Sequence, residues 1–327
     1  MNAVPMVELW RGGRMESRHL GHAVIWGPGG IEAAWGDPQA VIFPRSSCKM
    51  VQALPLLESG AGAGLGSEQL ALACASHNGA AIHTERVNRW LADLGLSDDD
   101  LRCGAHMPGD PDARRGLSCS DTAPCQVHNN CSGKHAGFLT LNRHLGGTAE
   151  YVEPDHPVQR AVRAAFEEVT GETSPGFGID GCSAPNFATS LAGLARAMAF
   201  FAAARDGAAD RREGAAAALV AAMCAHPELV AGEGRACTAL MRAMGGRVAV
   251  KTGAEAVFVA ILPETRQGVA LKIADGATRA SEAAITGLLI RLGVLEAAHP
   301  VVAAYLGAQK NWRGLVTGEI RLAEGFA

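Results

Sequence analysis

Residues 40–57, AVIFPRSSCKMVQALPLL, contain the change of period on which the reading of the fold turns. Before Pro44 the chain is a short β-like run; after it, apolar residues recur at spacings of three and four, the helical period. Ser46 and Lys49 stand at this junction. A helix beginning near Ser46 would put both on one side of its first turn, because residues three apart are neighbours on a helix surface. Pro55 is expected to bend or restart that helix.

On the amino-terminal side the runs VELW, HAVIW and AVIF are separated by RGGR, GPGG and WGDP, which predicts a meander of antiparallel strands joined by tight turns. On the other side the helical period predicts helices over 47–57, 68–75, 82–94, 135–145, 158–169, 186–204, 210–225 and 235–244. Strands return as VFVAILP and GVALKIAD around the turn PETRQG, a strong hairpin signal, and a helix follows over 282–292. The tail KNWRGLVTGEI, with Trp312 and Arg313, fits either packing on the sheet or a dimer interface. Residues 107–124, rich in Pro, Gly, Ser and Asp, read as a long irregular loop. Strands at both ends and a helical middle, about 46–245, predict a single α/β (α+β) domain over 1–327. Its sheet is expected to be mainly antiparallel, built from both termini, with the helical region inserted and packed on it.

Composition excludes several functions. Of 327 residues, 48% are hydrophobic and 19% charged, enough for a full core and unlike a disordered chain. The 29 Lys and Arg against 33 Asp and Glu, with no basic run, argue against nucleic acid as a partner, since that affinity rests on cationic side chains. The start MNAVPMVELWRGGR lacks the basic-then-apolar pattern of an export signal, so a cytoplasmic location is expected. The most apolar stretch, 215–225, is far short of the roughly 20 residues that span a bilayer, so no membrane segment is expected. In a reducing compartment the nine cysteines read as buried small hydrophobes, metal ligands or reactive groups rather than disulfide partners.

Several strings could carry chemistry. An isolated S-x-x-K is most often a serine cap followed by a solvated lysine. Ser46 and Lys49, however, are followed far downstream by Lys251-Thr252-Gly253 beside an apolar strand, the order found in serine enzymes of the β-lactamase and penicillin-binding type. In such a pair the lysine removes the proton that makes a serine hydroxyl a poor nucleophile. The S-D-N element of those enzymes is missing, which counts against a cell-wall or antibiotic substrate. ACASHNG places Ser76 and His77 at a helix end, where a cap is an equal alternative. In HNNCSGKH, Cys131, Lys134 and His135 would share one face of a helix start, and GIDGCSAPN adds Asp180 and Cys182. Two thiolates from separate segments and a nitrogen donor could hold zinc. Buried structural cysteines are the commoner explanation of such residues, and Cys74, Cys103, Cys224 and Cys237 are assigned to that class.

Taken in order, FPRSSCK, LACASHNG, HNNCSGKHAG, GIDGCSAPN and KTGAE closely resemble the rhizobial-type L-asparaginase family, also called class 3 or asparaginase II. The resemblance runs from the first strands to the hairpin near residue 275. It implies a serine β-lactamase-like fold related to some glutaminases, a homodimer, and hydrolysis of L-asparagine to L-aspartate and ammonia. It also implies two Ser-Lys tandems, Ser46 with Lys49 and Ser76 with Lys251, and one zinc ion on Cys131, Lys134 and Cys182 that supports substrate binding. A zwitterionic substrate needs a cation for its carboxylate and an anion for its ammonium; Arg45 and Asp180, inside the matched strings, are the candidates, with Lys134 and His135 beside them. A glutaminase, another small-amide hydrolase and a non-catalytic zinc-binding protein are the alternatives.

Overall fold

A computed structural model describes residues 2–327. Gly12 and Gly13, at φ of 55° and 76°, close a two-residue turn in which Arg11 pairs with Arg14. Both positions need the left-handed backbone that glycine adopts at little cost. The strands are β1 (Val4–Arg11), β2 (Arg14–Gly27), β3 (Gly30–Trp35), β4 (Val41–Ile42), β5 (Phe177–Ile179), β6 (Pro185–Phe187), β7 (Thr189–Ser190), β8 (Ala249–Gly253), β9 (Val257–Leu262), β10 (Gln267–Ile273), β11 (Gly307–Lys310) and β12 (Val316–Leu322). The helices are α1 (Lys49–Glu58), α2 (Ser67–Ala73), α3 (Ala81–Asp93), α4 (Pro111–Cys119), α5 (Ser132–Leu145), α6 (Pro157–Thr170), α7 (Leu191–Ala203), α8 (Arg211–Ala225), α9 (Pro227–Val230), α10 (Ala236–Ala243), α11 (Thr278–Arg291) and α12 (Val302–Tyr305).

The chain divides into two compact units. One comprises the residues up to Ser47, Thr189–Ala203 and Ala239–Ala327. It holds an eight-stranded antiparallel sheet in the order β11-β12-β1-β2-β10-β9-β8, with β3 also paired to β2. Sequence-distant strands therefore lie side by side, β12 on β1 and β10 on β2, as expected for a sheet built from both termini. Helix α7 packs on β10 and β2, and α11 on β9 and β10. Gly268 makes the first of these contacts possible: a Cβ there would stand 2.2 Å from the Ala199 nitrogen.

The other unit, Cys48–Ala188 and Ala204–Thr238, is helical. Helix α1 packs on α5, α6 and α8, and α2 on α5 and α8, burying Val51, Leu54, Leu72, Phe138, Val162, Phe166 and Leu219. Pro55 is accommodated without ending α1.

Two expectations are revised, and a third, left open for the tail, is met by packing on the sheet. The helix predicted over 186–204 starts only at Leu191, because β6 pairs with β5 and β7 with β4, and because the Ser190 hydroxyl accepts the Gly193 N–H at 2.9 Å as a cap. Residues 107–124 contain helix α4: Asp110 Oδ1 accepts the Ala113 N–H at 2.9 Å and Pro111 takes the first turn, where its missing N–H costs nothing. The tail is a sheet hairpin, with β12 paired to both β11 and β1 and Trp312 fully exposed at its tip. Among the described residues no helix is long and apolar enough to cross a membrane.

Candidate active site

In the sheet unit the strand-to-helix junction is a short 3-10 turn, Arg45–Cys48. Arg45 takes φ of 54°, a left-handed backbone unusual for a side-chain-bearing residue and of the kind that gathers at functional sites. The buried Ser47 hydroxyl donates to the Pro44 carbonyl at 2.8 Å, whereas Ser46 is half-buried. The turn therefore separates the two neighbouring serines: Ser47 holds the turn together and Ser46 is presented by it. Lys251 on β8 is fully buried, and its Nζ donates to the Thr252 carbonyl at 2.8 Å.

Gly253 has a packing reason to lack a side chain. A Cβ at this position would lie 2.5 Å from the Pro44 carbonyl oxygen and 3.1 Å from the Ser47 nitrogen. The missing side chain lets the end of β8 press on the turn that carries Ser46. With Ser46 as the expected nucleophile, Gly253→Ala should displace that turn and lower turnover about 100-fold, the penalty of roughly an ångström of misplacement at a reacting group. Unchanged steady-state kinetics of that variant would show that the contact does not position Ser46.

The helical unit begins with Cys48 and Lys49. Burial pushes the Cys48 thiol up to about 12, so it is an inert packing group. Lys49 is only 1% exposed; its Nζ donates to the Ala75 carbonyl and, at 3.1 Å, to Cys131 Sγ. The peptide ahead of Ser76 thus anchors the lysine, and Ser76 itself is buried, its N–H donating to the Val230 carbonyl at 2.8 Å. Ser76 and Lys251 belong to different units.

His77 is part of the scaffold. Its Nδ1 accepts the Gly79 N–H at 3.1 Å, its Nε2 lies 3.0 Å from Ser132 Oγ, and Ser132 donates onward to the Val127 carbonyl at 2.9 Å. Nε2 therefore carries the proton, and the neutral ring stacks on His83 at 4.7 Å. Burial, with His83 and Lys49 adding to it, holds His77 well below the ordinary histidine range, and burial lowers His83 too. Groups whose folded pKa lies below the unfolded value of about 6.5 take up protons on unfolding. Stability should be full above pH about 6.5 and decline as pH falls below it, with a slope approaching about 1.4 kcal/mol per pH unit for one such group. Urea midpoints between pH 8 and 5 will test this: His77→Gln should flatten the decline, and an unaltered slope would refute the assignment.

The HNNCSGKH string is built by two further devices. Asn129 Nδ2 donates to the Cys103 and Gly104 carbonyls at 2.8 and 2.9 Å while its Oδ1 accepts the Cys131 N–H at 2.9 Å, so one buried amide sets the entry to α5. At Gly133 a Cβ would stand 2.5 Å from the Leu72 carbonyl oxygen, and its absence brings the start of α5 onto the end of α2. Lys134 and His135 follow, both buried.

Here two sulfurs and an amine converge. Lys134 Nζ donates to Cys182 Sγ at 3.0 Å, while the Cys131 thiol beside them donates to Asn130 Oδ1 at 3.0 Å. The neighbouring Cys131 thiol, and next the Lys134 charge, hold Cys182 well below the ordinary thiol range against its burial. Cys131 is pushed well above that range by the Cys182 charge and by burial. Burial works against the Lys134 ammonium, but Cys182 and Cys131 outweigh it and raise its pKa. The cluster is therefore one thiolate, one thiol and one ammonium. His135, lowered to about 4 mainly by burial, is neutral. Ser183, at φ of 68°, turns the chain beside Cys182, and Asp180 Oδ1 accepts the Gly181 N–H at 2.8 Å.

The sequence reading missed Tyr151, whose hydroxyl lies 2.9 Å from His135 Nδ1. A lone tyrosine between two helices carries no spacing signal. All nine cysteines are free thiols; Cys119 is exposed and Cys224 and Cys125 are partly so.

A sheet built from both ends of the chain with an inserted helical region defines a protein of mixed helix and antiparallel sheet. The chain belongs to the L-asparaginase II family, whose model matches residues 7–322. Among solved structures it is similar to a candidate β-lactamase of Bacteroides dorei, with 10% identity over 83% of this chain and 92% of that one and a TM-score of 0.46. It is similar also to the protein Mglu in its native form, with 12% identity over 89% and 69% of the two chains and a TM-score of 0.46. The octameric penicillin-binding protein homologue of Pyrococcus abyssi matches at 11% identity over 93% and 82%, with a TM-score of 0.38. No curated protein sequence matches the chain.

Proposed function

We propose that the protein hydrolyses L-asparagine to L-aspartate and ammonia through an acyl-enzyme on Ser46. The observation that carries this reading is the family match over residues 7–322, which includes every residue assigned a role. Ser46 Oγ attacks the side-chain amide carbon, Lys49 takes the hydroxyl proton, and that proton goes to the departing ammonia. Water then attacks the ester, and the serine recovers its proton as aspartate leaves. Ser76 and Lys251 act as the second tandem, relaying protons or tuning the first. Arg45 is the partner for the substrate carboxylate and Asp180 for its ammonium.

We further propose that Cys131, Lys134 and Cys182 hold one zinc ion per chain. Tetrahedral zinc would separate two sulfurs by about 3.8 Å and a sulfur and a nitrogen by about 3.6 Å, given its usual bond lengths. The 3.0 Å between Lys134 Nζ and Cys182 Sγ needs only a small expansion to fit. Among the described residues no group of three His, Cys, Asp or Glu side chains is arranged to hold a metal, so a site here must draw on the lysine amine. When bound, the ion supplies a fixed positive charge for substrate binding. The reading further takes the working protein to be a cytoplasmic homodimer, which sedimentation of the purified protein checks in its assembly.

Ammonia release from a panel of small amides tests the activity. L-asparagine should be the best substrate. L-glutamine, one methylene longer, should be slower by the roughly 10- to 200-fold that such a difference supports. A panel in which no amide releases ammonia would overturn the reading, and one led by glutamine would change the substrate.

A further inference from the structure

The geometry points to a second nucleophilic site, built wholly within the helical unit, at which Ser67 is acylated by a small neutral ester with His226 as its base. Ser67 opens α2 and is exposed, and its Oγ lies 2.8 Å from His226 Nε2. The two meet because α2 packs on α8 and α9, and His226 is the residue that joins those helices. Its N–H donates to the Ala222 carbonyl and its carbonyl accepts the Leu229 N–H, each at 3.0 Å, so both helices hold its backbone. Glu228, one turn into α9, puts Oε1 3.9 Å from His226 Nδ1, and its own carbonyl accepts His83 Nε2 at 2.8 Å. A hydroxyl, an imidazole and a carboxylate in this order are the parts of an activated serine, and the carboxylate contact in such a set is often long before substrate binds.

Glu228 decides the direction of the pair. Its carboxylate favours the ring proton on Nδ1, which leaves Nε2 as the acceptor for the Ser67 hydroxyl. The other serine–histidine contact of this unit runs the opposite way: Ser132 is fully buried, receives the His77 proton and spends its own on the Val127 carbonyl. Ser67 instead lines a cleft of about 270 Å³ in which Leu72 and Trp90 supply apolar wall. The charges of that cleft balance, Arg86 holding Glu68 at 2.9 and 3.0 Å while Arg89 and Asp93 add one of each sign. A neutral substrate fits such a lining, and a compact one fits a volume at the lower end of small-molecule sites. In the reaction Ser67 Oγ bonds to the ester carbonyl carbon as its proton passes to Nε2, and the bond to the alcohol oxygen breaks as that oxygen takes the proton. Water, giving a proton to Nε2 in turn, displaces the acid, and the serine recovers its hydrogen. Ester and water are consumed, and acid and alcohol are released.

The full-length protein treated with p-nitrophenyl acetate, quenched in acid and mapped by peptide mass spectrometry tests the site directly. Wild type and Ser46→Ala should both carry acetyl on Ser67 and release more than one equivalent of phenol per chain. Acylation at Ser67 should slow at least about 100-fold in His226→Gln, the lower end of what a general base contributes. Ser67→Ala, which alters an exposed side chain, should keep ammonia release from L-asparagine while its phenol release falls. No acetyl on Ser67, or an unchanged rate of its formation in His226→Gln, would overturn the assignment. Acetyl that stays on Ser67 after a single equivalent of phenol would overturn hydrolysis, and loss of asparagine turnover in folded Ser67→Ala would overturn a separate site. Failure of the asparagine reading alone would leave the Ser67 label in place, so the two outcomes are distinct.

Discussion

Ser46→Ala should lower ammonia release from L-asparagine by about 10³-fold or more, because removing a covalent nucleophile removes the reaction path and leaves only binding and charge stabilisation. Two neighbouring serines make this a sharper test than a single knockout. Ser47, whose hydroxyl is buried against the Pro44 carbonyl, should cost about 1 kcal/mol of stability when changed to alanine and leave turnover within about tenfold. Ser76→Ala should fall between the two, near the roughly 100-fold that a proton-transfer group contributes at the lower end of its range. Its backbone would still bond to Val230, and Lys49 would keep its anchor on the Ala75 carbonyl. Burst kinetics on a chromogenic amide or ester would add a direct view of the acyl-enzyme. If Ser76→Ala proves the more damaging change, the two serines exchange roles.

The residues legible in the sequence are those whose chemistry is tied to local spacing. Ser46 and Lys49 were visible at a change of hydrophobic period, and Cys131 and Lys134 at one helix start, because a helix repeats within a few residues. The sheet built from both termini was visible too, since apolar runs with turn residues between them survive as strands wherever they pair. What was hidden depended on the approach of distant backbone. Nothing in K-T-G says that its glycine faces Pro44 and Ser47; that follows from β8 ending on the turn before α1. Helix α4 was missed although Asp110 and Pro111 are a strong start signal, because the surrounding Gly, Ser and Pro outweighed it. Residues 185–190 read as helix because their apolar spacing merges with α7, and only pairing with β5 and β4 separates them. The Tyr151 hydroxyl, 2.9 Å from His135 Nδ1, has no sequence signal at all.

Zinc affinity should rise about 100-fold for each pH unit between roughly 6 and 8. The sign follows from the protons on the metal-free cluster. Cys182 is already a thiolate, held down by the neighbouring Cys131 thiol and the Lys134 charge, so its coordination releases nothing. Cys131 keeps its proton because the Cys182 charge and burial raise it well above 9, the ordinary thiol value, and it must lose that proton to bind. Lys134 is raised above 10.5, since the neighbouring sulfurs outweigh its burial, and an ammonium has no lone pair to donate. Binding at neutral pH therefore expels two protons, and each contributes one factor of ten per pH unit to the apparent constant. The dependence holds throughout the window because both groups stay protonated in the metal-free protein well above pH 8. Chelator competition at several pH values measures the slope, and proton release into a weak buffer on adding zinc counts the same two protons independently. Lys134→Met should bind more weakly, because it removes both a donor and the charge that helps hold Cys182 ionised. A slope near zero in the wild type would remove both Cys131 and Lys134 from the ligand set, and a wild-type slope of one would remove one of them.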